Sequence, residues 1–399
     1  MLIQLSQAAI RMDKQFWAVC ITHMFIEVYF LTQVALIPIF IQEFQLSILE
    51  VSLVASIPSL TQLLMNIPLG PLADKFNTKH FLFAGILIEG SSALFLSQTQ
   101  NFWMLVFGVS VMRISSPIYH ISGLSFLSRS NNFQKMSRTM GYHNSFGSLG
   151  SAIGVISLAF FLSTLGWRWI YLFWAIPVLS WGFIILNFSQ FKTEKLRTPT
   201  KGSNPSRLRL VFFAGFVAFL IVVGLREMGS NGILTFMTTY LETTRGLHEV
   251  TATLIFGLGP LMGIVGSLSG GYLGERVGVK KALSLIILGC AISLVILMSS
   301  SQLFLLTLIY LIFAMLSYSA YVPMNTMIAE IMPSTERGTG FSAYFFTEGL
   351  IISITPIILA WVIDLTEVWY IFPFSIIFLI SSLAILQFIR YPRITLRGH

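Results

Sequence analysis

A chain of 399 residues, 55% apolar and only 10% charged, with a mean hydropathy of +0.81, excludes an ordinary soluble domain, whose hydrated surface needs roughly 25% charged residues. The net charge of +8 and the pI of about 9.5 would point to nucleic acid in a soluble protein. In a chain that must meet lipid over most of its surface, nucleic acid is not an expected partner, and what matters is which side the basic residues occupy.

A spanning helix needs about 20 apolar residues. Taken in chain order, such segments fall near 16–41, 48–69, 81–97, 102–127, 140–162, 169–189, 210–240, 250–270, 282–299, 303–328, 339–363 and 369–389. The predicted fold is an all-α membrane protein of twelve transmembrane helices. Trp169 to Phe191, Val250 to Gly274 and Trp369 to Ile389 contain no charged residue, and the uncharged run Ala282 to Ala329 holds two helices separated by the polar break Ser299 to Gln302. The two cysteines, Cys20 and Cys290, sit within apolar helices, so neither a disulfide nor a metal site is expected. No cleavable signal peptide is expected, because the first apolar segment is too long and lacks a small-residue cleavage site.

Orientation follows from Lys and Arg in the connections. Of the 24 such residues, twenty fall on the side that also holds both termini, with Arg113, Arg168, Arg226 and Arg245 the exceptions. Those loops and both termini are expected in the cytoplasm, in a multi-pass protein of the cell (inner) membrane.

The long polar stretch from Lys192 to Arg209 is read as a linker. It divides the chain into an N-terminal six-helix bundle, 1–191, and a C-terminal one, 210–399, with the linker at 192–209. The halves echo each other. Gly70 to Lys79 after the second helix aligns with Gly271 to Lys280 after the eighth at an offset of 201, and Arg138 to Tyr142 before the fifth aligns with Arg337 to Phe341 before the eleventh at 199. Parallel six-helix repeats are the plan of transporters whose bundles rock about a midplane site.

Both loop segments resemble the signature of the major facilitator superfamily, Gly-x-Leu-Ala-Asp-Arg-x-Gly-Arg-Lys, with Asp74 or Glu275 at the acidic position and Lys75 or Arg276 following. Asn77 stands where that signature has its turn glycine. Within the superfamily, Pro117 to Arg129, Met140 to Gly154 and Gly166 to Trp169 resemble the fosmidomycin-resistance-type branch of drug exporters, as do Leu225-Arg226 and Thr235-Phe236. The resemblance implies alternating access between two pseudo-symmetric bundles. It also associates the helix-4 arginine, here Arg113, with proton coupling.

Ionisable residues inside a membrane are costly unless paired or hydrated, which makes each a functional candidate. Glu27 in helix 1 has His23 one turn earlier on the same face, and a carboxyl group held out of bulk water suits proton uptake and release. Arg226 and Glu227 lie in helix 7, with Glu227 offset by 200 from Glu27. Neighbouring helical residues point about 100° apart, so one of the two is expected to face the cavity. Arg113, Ser116, Pro117 and His120 make one polar face of helix 4, and a pairing of Arg113 with Glu27 is expected; Glu89 and Glu348 are further intramembrane carboxylates. Gly147, Gly150 and Gly154 form a small-residue stripe on helix 5, beside His143, expected to meet Gly259 and Gly263 of helix 8. Asp74 is read as a latch to Arg129 or Arg138 and to the N-terminal end of helix 11, with Glu275, Arg276 and Arg337 as the mirror copy.

The expected function is proton-coupled export of small organic or drug-like molecules. Uptake of an organic anion by symport, with Arg113 and Arg226 as the clamp, and lipid or lysolipid flipping are the alternatives. The chain lacks an HExxH pair, a Gly-x-Ser-x-Gly elbow and a phosphate-binding lysine loop, so it is not read as an enzyme. No cofactor is expected beyond the proton gradient. The expected partners are a small-molecule substrate, protons and the lipid bilayer, and the chain is expected to act as a monomer.

Overall fold

The computed structural model describes residues 14–130, 135–188, 191 and 205–389. Most of the proposed linker, both chain termini and their basic residues lie outside the described residues. Among the described residues, twelve helices are long and apolar enough to cross a membrane. We number the membrane helices α1 (Lys14–Ala35), α2 (Ile48–Lys75), α3 (Thr78–Ser97), α4 (Phe102–Ser130), α5 (Met136–Thr164), α6 (Arg168–Leu186), α7 (Pro205–Thr243), α8 (Glu249–Val277), α9 (Val279–Ser299), α10 (Leu303–Ile331), α11 (Arg337–Leu365) and α12 (Ile371–Phe388). The positions agree with the sequence expectation. Some ends differ. α2 and α8 run on to Lys75 and Val277 rather than ending at 69 and 270, so the signature segments starting at Gly70 and Gly271, read as loops, begin inside helices. α7 starts at Pro205 rather than at 210, because proline suits a first helical turn, so the last residues assigned to the linker are helical.

α1 is two segments, Lys14–Glu27 and Phe30–Ala35, with a break at Val28 and Tyr29. A short helix, Ile37–Phe44, follows and ends on Gln45 at φ 53°. No glycine or proline marks the break. It falls where α5 lies against α1, and the second segment starts from the Tyr29 carbonyl, which accepts from the Gln33 amide at 3.1 Å and from the Thr32 hydroxyl at 2.7 Å.

The helices form two six-helix bundles, α1–α6 and α7–α12, that meet where α2 packs on α11 and α5 on α8. The duplication extends to individual hydrogen bonds. Lys79 Nζ donates to the Leu186 and Phe188 carbonyls at the end of α6 (2.6 and 2.8 Å), and Lys280 Nζ donates to the Gln387 and Ile389 carbonyls at the end of α12 (2.9 Å each). In each repeat a lysine caps the last helix of its bundle, where the dipole favours a cation.

The turn before α3 and its counterpart before α9 are built differently. Gly278 has φ 88°, in the left-handed region that glycine favours. Asn77, in the equivalent place, has φ −70° and caps α3 by accepting from the Lys79 amide at 3.0 Å. The glycine lost from the signature is therefore replaced by an N-cap, and the left-handed turn is not reproduced.

The glycine stripes pack inside bundles rather than between them, correcting the expected α5–α8 pairing. A Cβ on Gly150 or Gly154 would collide with the Met24 or Val28 carbonyl of α1, and one on Gly147 with the His23 ring. In the second bundle, Gly259, Gly266 and Gly270 face Tyr310, Met315 and Ser319 of α10. Among the expected stripe residues, Gly263 does reach α5, at Ser148. The α5–α8 contact is carried instead by Gly141 against Ser267 and Gly271, and by Ser145, which donates to the Ile264 carbonyl at 3.3 Å. The reason is helical phase: Gly147, Gly150 and Gly154 share one face of α5, while Gly141, Ser145 and Ser148 share another.

Candidate functional site

A cavity of about 240 Å³ lies between the bundles, with α1, α2's neighbour α4, and α5 on one side and α8, α10 and α11 on the other. His23, Glu27, His120, Asn144 and Ser151 line it from the first bundle, and Tyr318, Tyr321, Tyr344 and Glu348 from the second. Glu27 occupies the last turn of α1's first segment, immediately before the break. Broken helices place polar backbone and side chains at membrane depth only where a cavity can receive them.

Three side chains converge there. Glu27 Oε1 is 3.3 Å from His120 Nε2 and 3.8 Å from His23 Nε2, and the two imidazole nitrogens are 3.0 Å apart. The rings are fixed from behind. His23 Nδ1 lies 2.8 Å from the His143 carbonyl, and His120 Nδ1 lies 2.9 Å from the Ser116 carbonyl. His143 stacks on His23 with centroids 4.1 Å apart, and its Nε2 is 2.8 Å from the Tyr119 hydroxyl. His143 is thus a hydrogen-bond partner inside the first bundle. The Tyr119 hydroxyl is committed to it, whereas Tyr344 of α11 lines the cavity.

Arg113 does not pair with Glu27. Its guanidinium lies over the Phe30 ring at 4.5 Å, beside a small lateral pocket that it shares with Glu27, Gln33, Glu89 and Ser115. Arg113 and His120 are two helical turns apart, roughly 10 Å along α4, and Glu27 sits level with the histidine. Glu89 accepts a hydrogen bond from Ser115, which ties α3 to α4.

Arg226 and Glu227 are engaged with each other and neither lines the cavity. They form an ion pair, Arg226 also donates to the Ser317 carbonyl of α10, and Tyr321 lies 4.5 Å beneath the guanidinium. Their side chains keep 1% and 2% of their surface exposed, against 16% for Glu27 and 15% for His120. Backbone directions about 100° apart do not prevent two long side chains from bending toward one another, so the expectation that one would turn to the cavity fails. The cavity carboxylate of the second bundle is Glu348 instead. Its position on α11 gave no spacing signal in the sequence; only the packing of α11 against α2 and α4 brings it opposite Glu27.

At the basic face the two bundles are clasped. Arg129 Nη2 donates to Asp74 Oδ1 at 2.6 Å, and Asp74 also accepts from the Gly338 amide at 2.7 Å and from the Thr339 amide and hydroxyl at 2.9 Å. The carboxylate thereby meets both an arginine of its own bundle and the N-terminal end of α11, as read from the sequence. Gly70 permits this approach, since a Cβ there would overlap Ser342 of α11. In the mirror copy Glu275 pairs with Arg138 of α5, and Gly271 faces the Ser137 carbonyl. The rest of the mirror differs from expectation. Arg276 stacks on Tyr272 at 4.3 Å, and Arg337 reaches across to the Ser128 carbonyl of α4. The reason lies in α10, where Glu330 occupies the place equivalent to Arg129 by the 201-residue offset, leaving Glu275 to draw its cation from the opposite bundle. Lys75 is exposed. On the other face, Arg168 pairs with Glu43 at 2.6 Å and Arg245 donates to the Tyr240 hydroxyl at 2.6 Å, each inside its own bundle.

The sequence matches the profile of the Major Facilitator Superfamily over residues 18–356, with a second match over 220–394. No curated protein matches it by sequence. Among solved structures it is similar to FucP, a Major Facilitator Superfamily transporter in the outward conformation, with TM-score 0.79 and 13% identity over 95% of this chain and 99% of that one. It is also similar to a bacterial homologue of the iron transporter ferroportin in an outward-facing state (TM-score 0.76, 14% identity, 94% and 99% covered). A third likeness is to the human organic anion transporter MFSD10 (TETRAN), with TM-score 0.73 and 14% identity over 94% and 98% of the chains. At these identities the likeness is one of fold.

Proposed function

The chain belongs to the Major Facilitator Superfamily, and from its cavity chemistry we propose that it is a proton-coupled secondary transporter that exports small organic molecules by alternating access. One observation carries this reading: a carboxylate and two imidazoles, Glu27, His23 and His120, face a cavity between the bundles while the Asp74 clasp closes the basic face beneath them. The excess of Lys and Arg supports reading that face, with both termini, as the cytoplasmic side of a cell (inner) membrane. On that orientation the Asp74 clasp would close the cytoplasmic side, and a proton would reach Glu27 from outside. Proton uptake there lowers the affinity for a bound cargo molecule and favours return of the carrier to the inward-open state, so protons run inward as cargo runs outward. Binding of the two must be mutually exclusive for exchange to be obligatory.

The arginine arrangement supports this reading over symport of an organic anion. Arg226 is already neutralised by Glu227, and Arg113 lies beside the lateral pocket, so the cavity holds no pair of free arginines to clamp an anion. Structural neighbours include a fucose:proton symporter, a proton:xylose symporter and an organic anion transporter. The fold therefore serves several cargoes, and the choice of cargo and direction must come from the cavity itself.

The test begins with a thermal-shift panel of drugs, sugar phosphates, carboxylates and lysolipids at two pH values, to find a cargo. Efflux of that compound is then followed in proteoliposomes under an imposed pH gradient. Gradient-driven transport by the wild type and its loss in a folded Glu27→Gln variant are expected; undiminished proton-driven transport in the variant would overturn the assignment.

A further inference from the structure

His23, Glu27 and His120 form the only group of three or more His, Cys, Asp or Glu side chains, among the described residues, placed to share one metal ion. We infer that they are a binding site for a four-coordinate divalent transition-metal ion of the zinc type. The inference rests on donor geometry and stands apart from the proton reading above.

Two features of the cluster carry it. The first is the tautomeric state that the surroundings impose. The His143 and Ser116 carbonyls can only accept, so Nδ1 of His23 and Nδ1 of His120 carry hydrogens that they donate backwards. In the neutral rings both Nε2 atoms then present lone pairs, and these meet the Glu27 oxygen, which presents a third. Three electron-pair donors from α1 and α4 converge on one point and call for a cation between them. A ring nitrogen donating to a backbone carbonyl is also the usual device by which a protein orients a metal-binding imidazole and raises its basicity.

The second feature is size. Separations of 3.0, 3.3 and 3.8 Å put the point equidistant from the three atoms at about 2.0 Å from each, which is the length of zinc–nitrogen and zinc–oxygen bonds. With bonds of about 2.1 Å the ion would stand roughly 0.7 Å out of the donor plane, the height expected at one face of a tetrahedron. An octahedral face with the same bond length needs donors about 3.0 Å apart on all three sides. The observed triangle is too wide for that, which favours zinc over magnesium or manganese. The fourth position is open to the cavity and takes water or a donor atom of a bound molecule. Around it stand Asn144 on α5, Tyr318 on α10, and Tyr344 and Glu348 on α11. Glu348 is the second carboxylate facing this space, and it adds to the attraction for a cation.

A metal ion and a proton would occupy the same lone pairs, so each excludes the other. Binding and transport are nevertheless read separately: the test below measures metal on the full-length protein, and its failure leaves the transporter reading standing.

The experiment titrates the purified protein in detergent at neutral pH with Zn²⁺ by calorimetry and with Co²⁺ by visible absorption. One ion per chain is expected, with the intense absorption of four-coordinate cobalt that zinc displaces. His120→Gln and Glu27→Gln are expected to weaken binding by at least about tenfold. His80→Gln, at an exposed position outside the cluster, is expected to leave it unchanged. Should the cavity variants fail to fold, X-ray absorption at the zinc edge of the wild type decides instead, with two imidazole nitrogens and one carboxylate oxygen near 2.0 Å expected. No saturable binding, a weak octahedral cobalt spectrum, or equal affinity in wild type and His120→Gln would each overturn the site.

Discussion

Glu27 and Glu227 occupy equivalent places in the two repeats, 200 residues apart, yet their surroundings are opposite. Glu27 meets two imidazoles and the Ser151 hydroxyl, at the broken end of α1, and opens onto the cavity. Glu227 is closed off by Arg226 beside it and by the Tyr321 hydroxyl 3.4 Å away. One bundle thus keeps its intramembrane carboxylate available, whereas the other neutralises its copy and uses it to hold α7 to α10. Duplication supplied two carboxylates at like depth; the adjacent residue, Ile26 in one repeat and Arg226 in the other, decided which would remain reactive.

This contrast can be broken most severely at the buried pair. Arg226→Met alone leaves Glu227 buried without its cation and should lower stability by about 3–5 kcal/mol. The double variant Arg226→Met with Glu227→Leu should recover most of that loss, as both followed by thermal unfolding in detergent. A single variant as stable as the wild type would show that the pair is dispensable. Glu27→Gln, by contrast, should unfold at nearly the wild-type temperature, because its side chain already faces the cavity.

The glycine faces offer a smaller but sharper contrast. Gly154→Val places a side chain against the Val28 carbonyl and should cost about 1–3 kcal/mol or more by overpacking. The same change at Gly257, where a Cβ meets nothing within 4 Å, should stay within about 0.5 kcal/mol. Equal effects at both sites would refute the close α1–α5 approach.

The two clasps at the basic face give the mildest test. Asp74 is nearly enclosed and serves four donors, while Glu275 and Arg138 keep 21% and 35% of their side-chain surfaces exposed. Asp74→Asn should shift the population toward opening of this face by about 1.5–3 kcal/mol, the worth of charge-assisted hydrogen bonds; Glu275→Gln should shift it by under about 1 kcal/mol. Spin labels at exposed His80 and Glu336, on opposite bundles, report the opening as a longer distance. An equal response to both substitutions would mean that the repeats share the load.

Much of the first bundle's site was legible in the amino-acid order. His23 and Glu27 are one turn apart, and helical spacing alone puts them on a common face. His120 belonged to a recognisable polar face of α4, but nothing in the spacing distinguished it from Arg113 as the partner of Glu27, since the level of one helix against another is set by packing. The signature loops announced Asp74 and its counterpart because their Gly-x-x-x-acid pattern recurs at a fixed offset. Glu348 and the tyrosines opposite Glu27 carried no such pattern. The glycine stripe of α5 was visible as small residues at helical spacing, yet the same spacing fits α1 or α8 equally well.

Composition, span length, loop charge and the internal repeat by themselves determined a twelve-helix membrane fold in two halves, because those properties follow from the cost of exposing backbone and charge to lipid and act residue by residue. The tertiary structure decided the partners: which helix the α5 glycines touch, where α1 breaks, whether an intramembrane carboxylate is locked or free, and that two histidines and Glu27 share one point. Those outcomes depend on the relative height and rotation of helices far apart in the chain, and such quantities are fixed only when all the close contacts are satisfied together.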